Sequence, residues 1–174
     1  MADLSHVKAE VPAEGNPSAG TSAAEAGLYD SLIEDLLERA CLIVDVLPEQ
    51  VPGDSPGQYF AIEDYYLQPE RLRILRRRFA EILLRLNCYS DMAVSSDNGE
   101  SWEKNPDPEV FAGRLEDLPG NGFLRVIFEA ERAMADLDGC DINMTFYGPE
   151  SQLTQRLRQL AAAEGLFVWS PPDT

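Results

Sequence analysis

The chain has 174 residues, 44% of them hydrophobic, which is enough apolar material for one ordinary domain with a sizeable core. It carries 14 Lys and Arg against 31 Asp and Glu, a formal charge of −17. That balance speaks against a duplex nucleic-acid binder and against docking on an anionic membrane, because both need clustered cations.

The single histidine, His6, lies in a polar N-terminal stretch. A Ser-His-Asp triad, a Cys-His pair and a multi-histidine metal site are therefore excluded within the chain. No apolar run approaches the length of a membrane span, and the first twenty residues hold no secretory apolar region. Cys41, Cys88 and Cys140 form no CxxC or other metal spacing. Without a signal peptide they are expected to be reduced, buried thiols of a cytoplasmic protein. No motif calls for a cofactor or a metal.

Residues 1–21 are rich in Ala, Pro, Gly, Ser and Glu, with no aromatic residue. They cannot bury enough apolar area to offset about 1–2 kcal/mol of backbone entropy per residue, so a disordered tail is expected, followed by one domain over residues 22–174. Ser22-x-x-Glu25 matches a capping box. Tyr29, Leu32, Ile33, Leu36, Leu37, Ala40, Ile43, Val44 and Leu47 then recur at helical spacing opposite an acidic face, which predicts a first helix ending at Pro48. Residues 48–57 hold three prolines and two glycines and read as a loop.

Residues 58–68 are expected to form a short helix on the core. They carry Tyr59, Phe60, Tyr65 and Tyr66 with Glu63 and Asp64 between them. Such an aromatic cluster is suited to a pocket or a partner surface. Pro69 opens a second long helix over residues 69–87, with Leu72, Leu75, Phe79, Ile82, Leu83 and Leu86 as its buried stripe and Ile74 and Leu84 widening it. The window 70–86 holds six Arg against two Glu. Arg71, Arg78 and Arg85 share a stripe that suits either an anion grip or an internal counter-charge to the first helix and other acidic surfaces. We read it as the counter-charge.

After Asn87 the period changes to two, with Met92 and Val94 directed at the helices. The turn that follows, Ser95-x-Asp97-x-Gly99-x-Ser101-Trp102, resembles the Asp-box, S-x-D-x-G-x-[ST]-W. That hairpin motif is found in sialidase propellers and in unrelated proteins. The resemblance covers eight residues in a single copy, so it implies a hairpin and no propeller. Residues 105–122 read as a long connection with a short helix from Pro108 to Leu115, capped by Asp107.

Leu124, Val126 and Phe128 alternate as a strand. Residues 130–137 favour helix locally, yet Asp138-Gly139 is a hairpin signal and Ile142, Met144 and Phe146 alternate after it. A long hairpin over residues 123–147 is expected. Asp136, Asp138 and Asp141 do not follow the EF-hand pattern and read as an acidic turn. Gly148 and Pro149 open a third helix with Leu153, Leu157, Leu160 and Ala161 inward, Gly165 caps it, and residues 166–170 form a last strand.

The sum is an α+β fold: a mixed, mostly antiparallel sheet of four or five strands, both long helices packed on one face, and a C-terminal β-α-β-like unit. Charge, size and the lack of a catalytic motif favour a non-enzymatic protein-binding module, such as an adaptor, an inhibitor or an immunity-type antagonist, acting on a basic protein partner. The alternative is a carboxylate- and arginine-based enzyme or a small-anion binder. For either, the candidate surface is Tyr59, Glu63, Asp64, Tyr65, Tyr66, Arg71 and Arg78, with Ser95, Asp97, Gly99, Ser101 and Trp102 as a structural hairpin. The sequence specifies no oligomeric state.

Overall fold

The computed structural model describes residues 23–148 and 150–172. The tail expected over residues 1–21 and the cap at Ser22 lie outside the described residues, as does Pro149. The elements in chain order are α1 (Ala23–Leu37), β1 (Cys41–Asp45), α2 (Tyr59–Tyr66), α3 (Pro69–Asn87), β2 (Ala93–Ser95), β3 (Glu103–Lys104), α4 (Pro108–Glu116), β4 (Phe123–Phe128), β5 (Ala133–Asp138), β6 (Met144–Tyr147), α5 (Gln152–Ala163) and β7 (Phe167–Trp169). The fold is α+β, with one open sheet in the order β3-β2-β4-β5-β6-β1-β7. Every neighbouring pair is antiparallel.

The sheet thus has seven strands among the described residues, more than the four or five expected. The main addition is β1, which the helical spacing assigned to the first helix. Its first four residues, Cys41 to Val44, carry apolar side chains that satisfy either period, and a run this short cannot decide between them. Pairing decides it: Leu42 sits opposite Phe146 on one side, while Val44 pairs with Val168 on the other.

The two long helices also lie on opposite faces, which corrects the expected single layer. The alternation of the strands shows this directly. Leu124, Val126 and Phe128 of β4 join a core with Phe79 of α3, Phe111 of α4 and Leu157 of α5. Ile127 of the same strand and Met134 of β5 instead meet Tyr29, Leu32, Ile33 and Leu36 of α1. Three helices therefore cover one face and α1 covers part of the other. Ile74, expected to widen the buried stripe of α3, is 59% exposed, because no helix covers that side.

The β-α-β-like unit at the C-terminus has a strand inserted in it. β6 and β7 each pair antiparallel with β1, so they run in the same direction with β1 between them. Residues 130–137, where local propensity favoured helix, split into a turn and β5, which is held by β4 on one side and β6 on the other. Arg132 turns the chain there with φ 49°. At the other end of β5, Gly139 is required. A Cβ built on it would lie 1.8 Å from the carbonyl oxygen of Pro119.

The Asp-box turn joins β2 to β3 and anchors α1. Asp97 accepts hydrogen bonds from the Ser95 hydroxyl (2.7 Å) and the Ser101 N–H (3.0 Å), and Asn98 and Gly99 adopt positive φ. Trp102 donates to the Gly99 carbonyl (3.1 Å), and its ring lies 4.8 Å from that of Tyr29. The expected burial of the cysteines is not found: Cys88 and Cys140 are exposed and Cys41 is half-buried. Cys88 sits at the end of α3 and Cys140 in the β5–β6 turn, where their apolar neighbours turn inward without them.

Candidate functional site

The arginines of α3 serve three different purposes. Arg73 and Arg77 both reach Glu116 of α4, at 3.1 and 2.7 Å. Arg77 and Arg85 flank Glu81, and Arg85 continues to Glu164 at the end of α5 (2.8 Å). These pairs neutralise carboxylates on α4, α5 and α3 itself. They do not serve α1, whose Asp35 pairs with Arg39 and Arg132. Beside Arg77, the Glu116 carboxyl is held below the usual range. Arg76 is different, being only 6% exposed. Its guanidinium donates to the backbone carbonyls of Leu118 and Gly139, and burial lowers its pKa. It pins the connection after α4 to the β5–β6 turn without a carboxylate partner.

Arg71 stacks on Tyr65, its guanidinium carbon 3.8 Å from the ring centre, and Tyr65 meets Tyr66 edge-on at 5.5 Å. Arg78 is half-buried and makes no ion pair among the described residues. The stripe Arg71, Arg78 and Arg85 is thus divided among an aromatic ring, an unpaired position and a carboxylate network, and the three do not converge on one point.

α2 is the unusual element. It has eight residues, no side-chain cap on Gln58 and no buried residue. A helix this short has little stability of its own. Tyr66 and the following Leu67 hold it loosely to the core. Phe60 and Tyr65 point outward, 76% and 50% exposed, and Ile62 is 46% exposed where it lines a surface cleft. Large apolar groups clustered this densely on a surface are a common mark of an interaction site.

A cleft of about 230 Å³ opens between α2 and the 46–58 connection. Its floor is mostly apolar, formed by Val46, Leu47, Val51, Ile62 and Ile142, with Ser55 and Gln58 also lining it. Tyr59 and Glu63 stand at its rim, with the Tyr59 hydroxyl donating to Glu63 Oε1 (2.9 Å). Burial pushes the Tyr59 hydroxyl up to about 12, and the hydrogen bond to Glu63 and the charges of Glu63, Asp45 and Asp141 add to the effect. Asp45 and Asp141 directly precede two lining residues, Val46 and Ile142. Burial raises the pKa of each carboxyl; for Asp141 the charges of Asp138 and Glu63 raise it further. Asp64 is exposed, and its carbonyl accepts from the Gln68 side chain (3.1 Å). On the far side of the same connection a second cleft of about 480 Å³ runs between Glu49–Gly53 and Trp169.

The structure brings Tyr59 and Glu63 together at the cleft and places Tyr65 with Arg71 elsewhere on α2. Asp45, Val51, Ile62, Asp141 and Ile142 were not foreseen as site residues. Part of the signal was in the sequence: between Arg39 and Arg71 there is no Lys or Arg, while Asp45, Glu49, Asp54, Glu63, Asp64 and Glu70 all fall in that interval. Among the described residues, no cation pairs with Asp45, Glu63 or Asp141. Comparison with known proteins finds no match, neither a family model, nor a curated protein, nor a solved structure.

Proposed function

We propose that this chain is a non-enzymatic protein-binding module for a basic partner, and that α2 with the 46–58 connection is its docking face. The observation that carries this reading is α2 itself, a helix with no buried residue that presents Phe60, Ile62 and Tyr65 to solvent. Aromatic groups at the centre of a contact supply much of the binding energy of typical interfaces. The unneutralised carboxylates around them supply steering and partner choice, which is how charge acts at interfaces. The competing enzymatic or anion-binding reading needs carboxylates and an arginine aimed at one point. Arg71 instead lies on the Tyr65 ring, and Glu63 is engaged with Tyr59.

The test is affinity capture on immobilised protein, comparing wild type with a Phe60→Ser/Tyr65→Ser double variant at low and at high salt. A cationic protein retained by wild type, lost from the variant and released by salt is the expected result. Capture that ignores both the double variant and the salt removes the proposal.

A further inference from the structure

We infer that the partner is recognised through a single apolar anchor side chain that enters the cleft beside α2, flanked on its own chain by Lys or Arg. This rests on the binding-module reading and specifies the chemistry of the occupant. The cleft and its rim make two separate demands. Val46, Leu47, Val51, Ile62 and Ile142 offer no hydrogen-bonding side chain, and Ser55 and Gln58 add polar groups only from the connection side, so a polar group seated on the apolar part would lose its water without a replacement partner. At the rim, Glu63 bonds to Tyr59, which donates a hydrogen bond and carries no positive charge. Asp45 and Asp141 lie within electrostatic reach of the same hydroxyl. Among the described residues none of the three carboxylates has a cation of this chain beside it.

On other surfaces some of the acids are neutralised from within the chain. Arg125 makes a two-pronged pair with Asp136, at 2.7 Å for both bonds, and Arg77 and Arg85 bracket Glu81. The rim is one acidic surface open to a cation from outside, and it is the one that borders an apolar cleft. An apolar side chain between basic residues satisfies floor and rim together. A free amine would meet the rim and leave the floor wet. A second copy of this chain would bring a charge of −17 against a surface of the same sign, and is disfavoured on that ground.

The experiment titrates labelled synthetic twelve-residue peptides into the full chain and follows fluorescence anisotropy. One peptide set places Leu, Ile, Met or Phe between pairs of Arg. A second replaces the anchor by Ser. A third keeps the anchor between pairs of Glu. The inference expects binding by at least one peptide of the first set, at least tenfold weakening with Ser, and no detectable binding with Glu flanks. In the protein, Glu63→Gln keeps the acceptor for Tyr59 while removing the charge, and Val51→Trp fills the cleft from the loop side. Each should weaken the best peptide at least fivefold with an unchanged circular dichroism spectrum, and Ile62→Ser provides a second cleft variant should Val51→Trp perturb the loop. Arg-flanked peptides that bind equally with Ser or Leu would overturn the anchor and leave the basic-partner reading standing. Failure of every Arg-flanked peptide overturns the inference. If, in addition, native capture ignores Phe60, the reading beneath it falls too. Sedimentation showing a dimer that Phe60→Ser disrupts would overturn both in favour of a second copy.

Discussion

Two surfaces of this molecule are built from the same kinds of side chain and treat charge in opposite ways. Where α3 meets α4 and α5, carboxylates and guanidinium groups interleave as Glu116, Arg77, Glu81, Arg85 and Glu164. Beside α2, Asp45, Glu63 and Asp141 lie within electrostatic reach of the Tyr59 hydroxyl, and among the described residues no cation pairs with them. The net charge of −17 is therefore not a uniform coat. Many of the few cations sit on the structural side, and the helix least tied to the core stands beside acids that no cation pairs with among the described residues. A surface closed on itself contributes to holding the fold, and one left open is available for an external partner.

The sharpest way to break this contrast is at Arg76. Arg76→Ala removes two charge-assisted hydrogen bonds and leaves the buried carbonyls of Leu118 and Gly139 without their donor, with an expected loss of about 3 kcal/mol or more in urea unfolding. A loss below about 1 kcal/mol would mean that the arginine is replaceable by water. The next largest effect should be on binding. Phe60→Ser and Ile62→Ser should weaken the captured partner by tenfold or more, in line with about 1.4 kcal/mol or more per anchor, yet shift stability by no more than about 0.5 kcal/mol. A large drop in melting temperature for either would show that α2 belongs to the fold.

On the interleaved surface, Arg77→Gln should lower the urea midpoint only slightly, because the arginine is half-exposed and its pairs are screened by solvent, and should leave partner binding unchanged. The smallest effect concerns Asp45. Burial raises its folded pKa above the ordinary 3.8. Below that ordinary value both states are protonated; as pH rises through it the unfolded chain ionises first, so this carboxyl works against the fold at neutral pH. Asp45→Asn should therefore raise the unfolding midpoint at pH 7 and lose that advantage in acid. A stabilisation independent of pH would point to packing instead of charge.

What the sequence disclosed follows the range of the interaction concerned. α3 is bounded as expected because its signals are local: Pro69 at the first turn, one apolar stripe and a stop at Asn87. The cap of α4 is equally local, with Asp107 accepting from the N–H groups of Glu109 and Val110. β1 was not legible, because its character comes from strands about a hundred positions away. Arg76 was partly legible, since it lies four residues after Leu72 and three before Phe79, both on the buried stripe. Counting it with the other arginines hid that. The cleft shared this fate: Tyr59 and Glu63 could be named from their own helix, whereas Ile142 and Asp141 arrive only through the register of β6 on β1.

The insertion of β1 between β6 and β7 has a consequence for how the protein is made. β1 leaves the ribosome about a hundred residues before either of its neighbours. Until they emerge it is a largely apolar strand with two open edges, the kind of segment that chaperones shield and that aggregates when they do not. The β2-to-β5 half of the sheet pairs nearer neighbours in sequence and can form first. The docking cleft, which needs Ile142 placed against Val46, would then mature only once β6 has paired with β1, so that a chain with β1 still unpaired presents no finished surface to its partner.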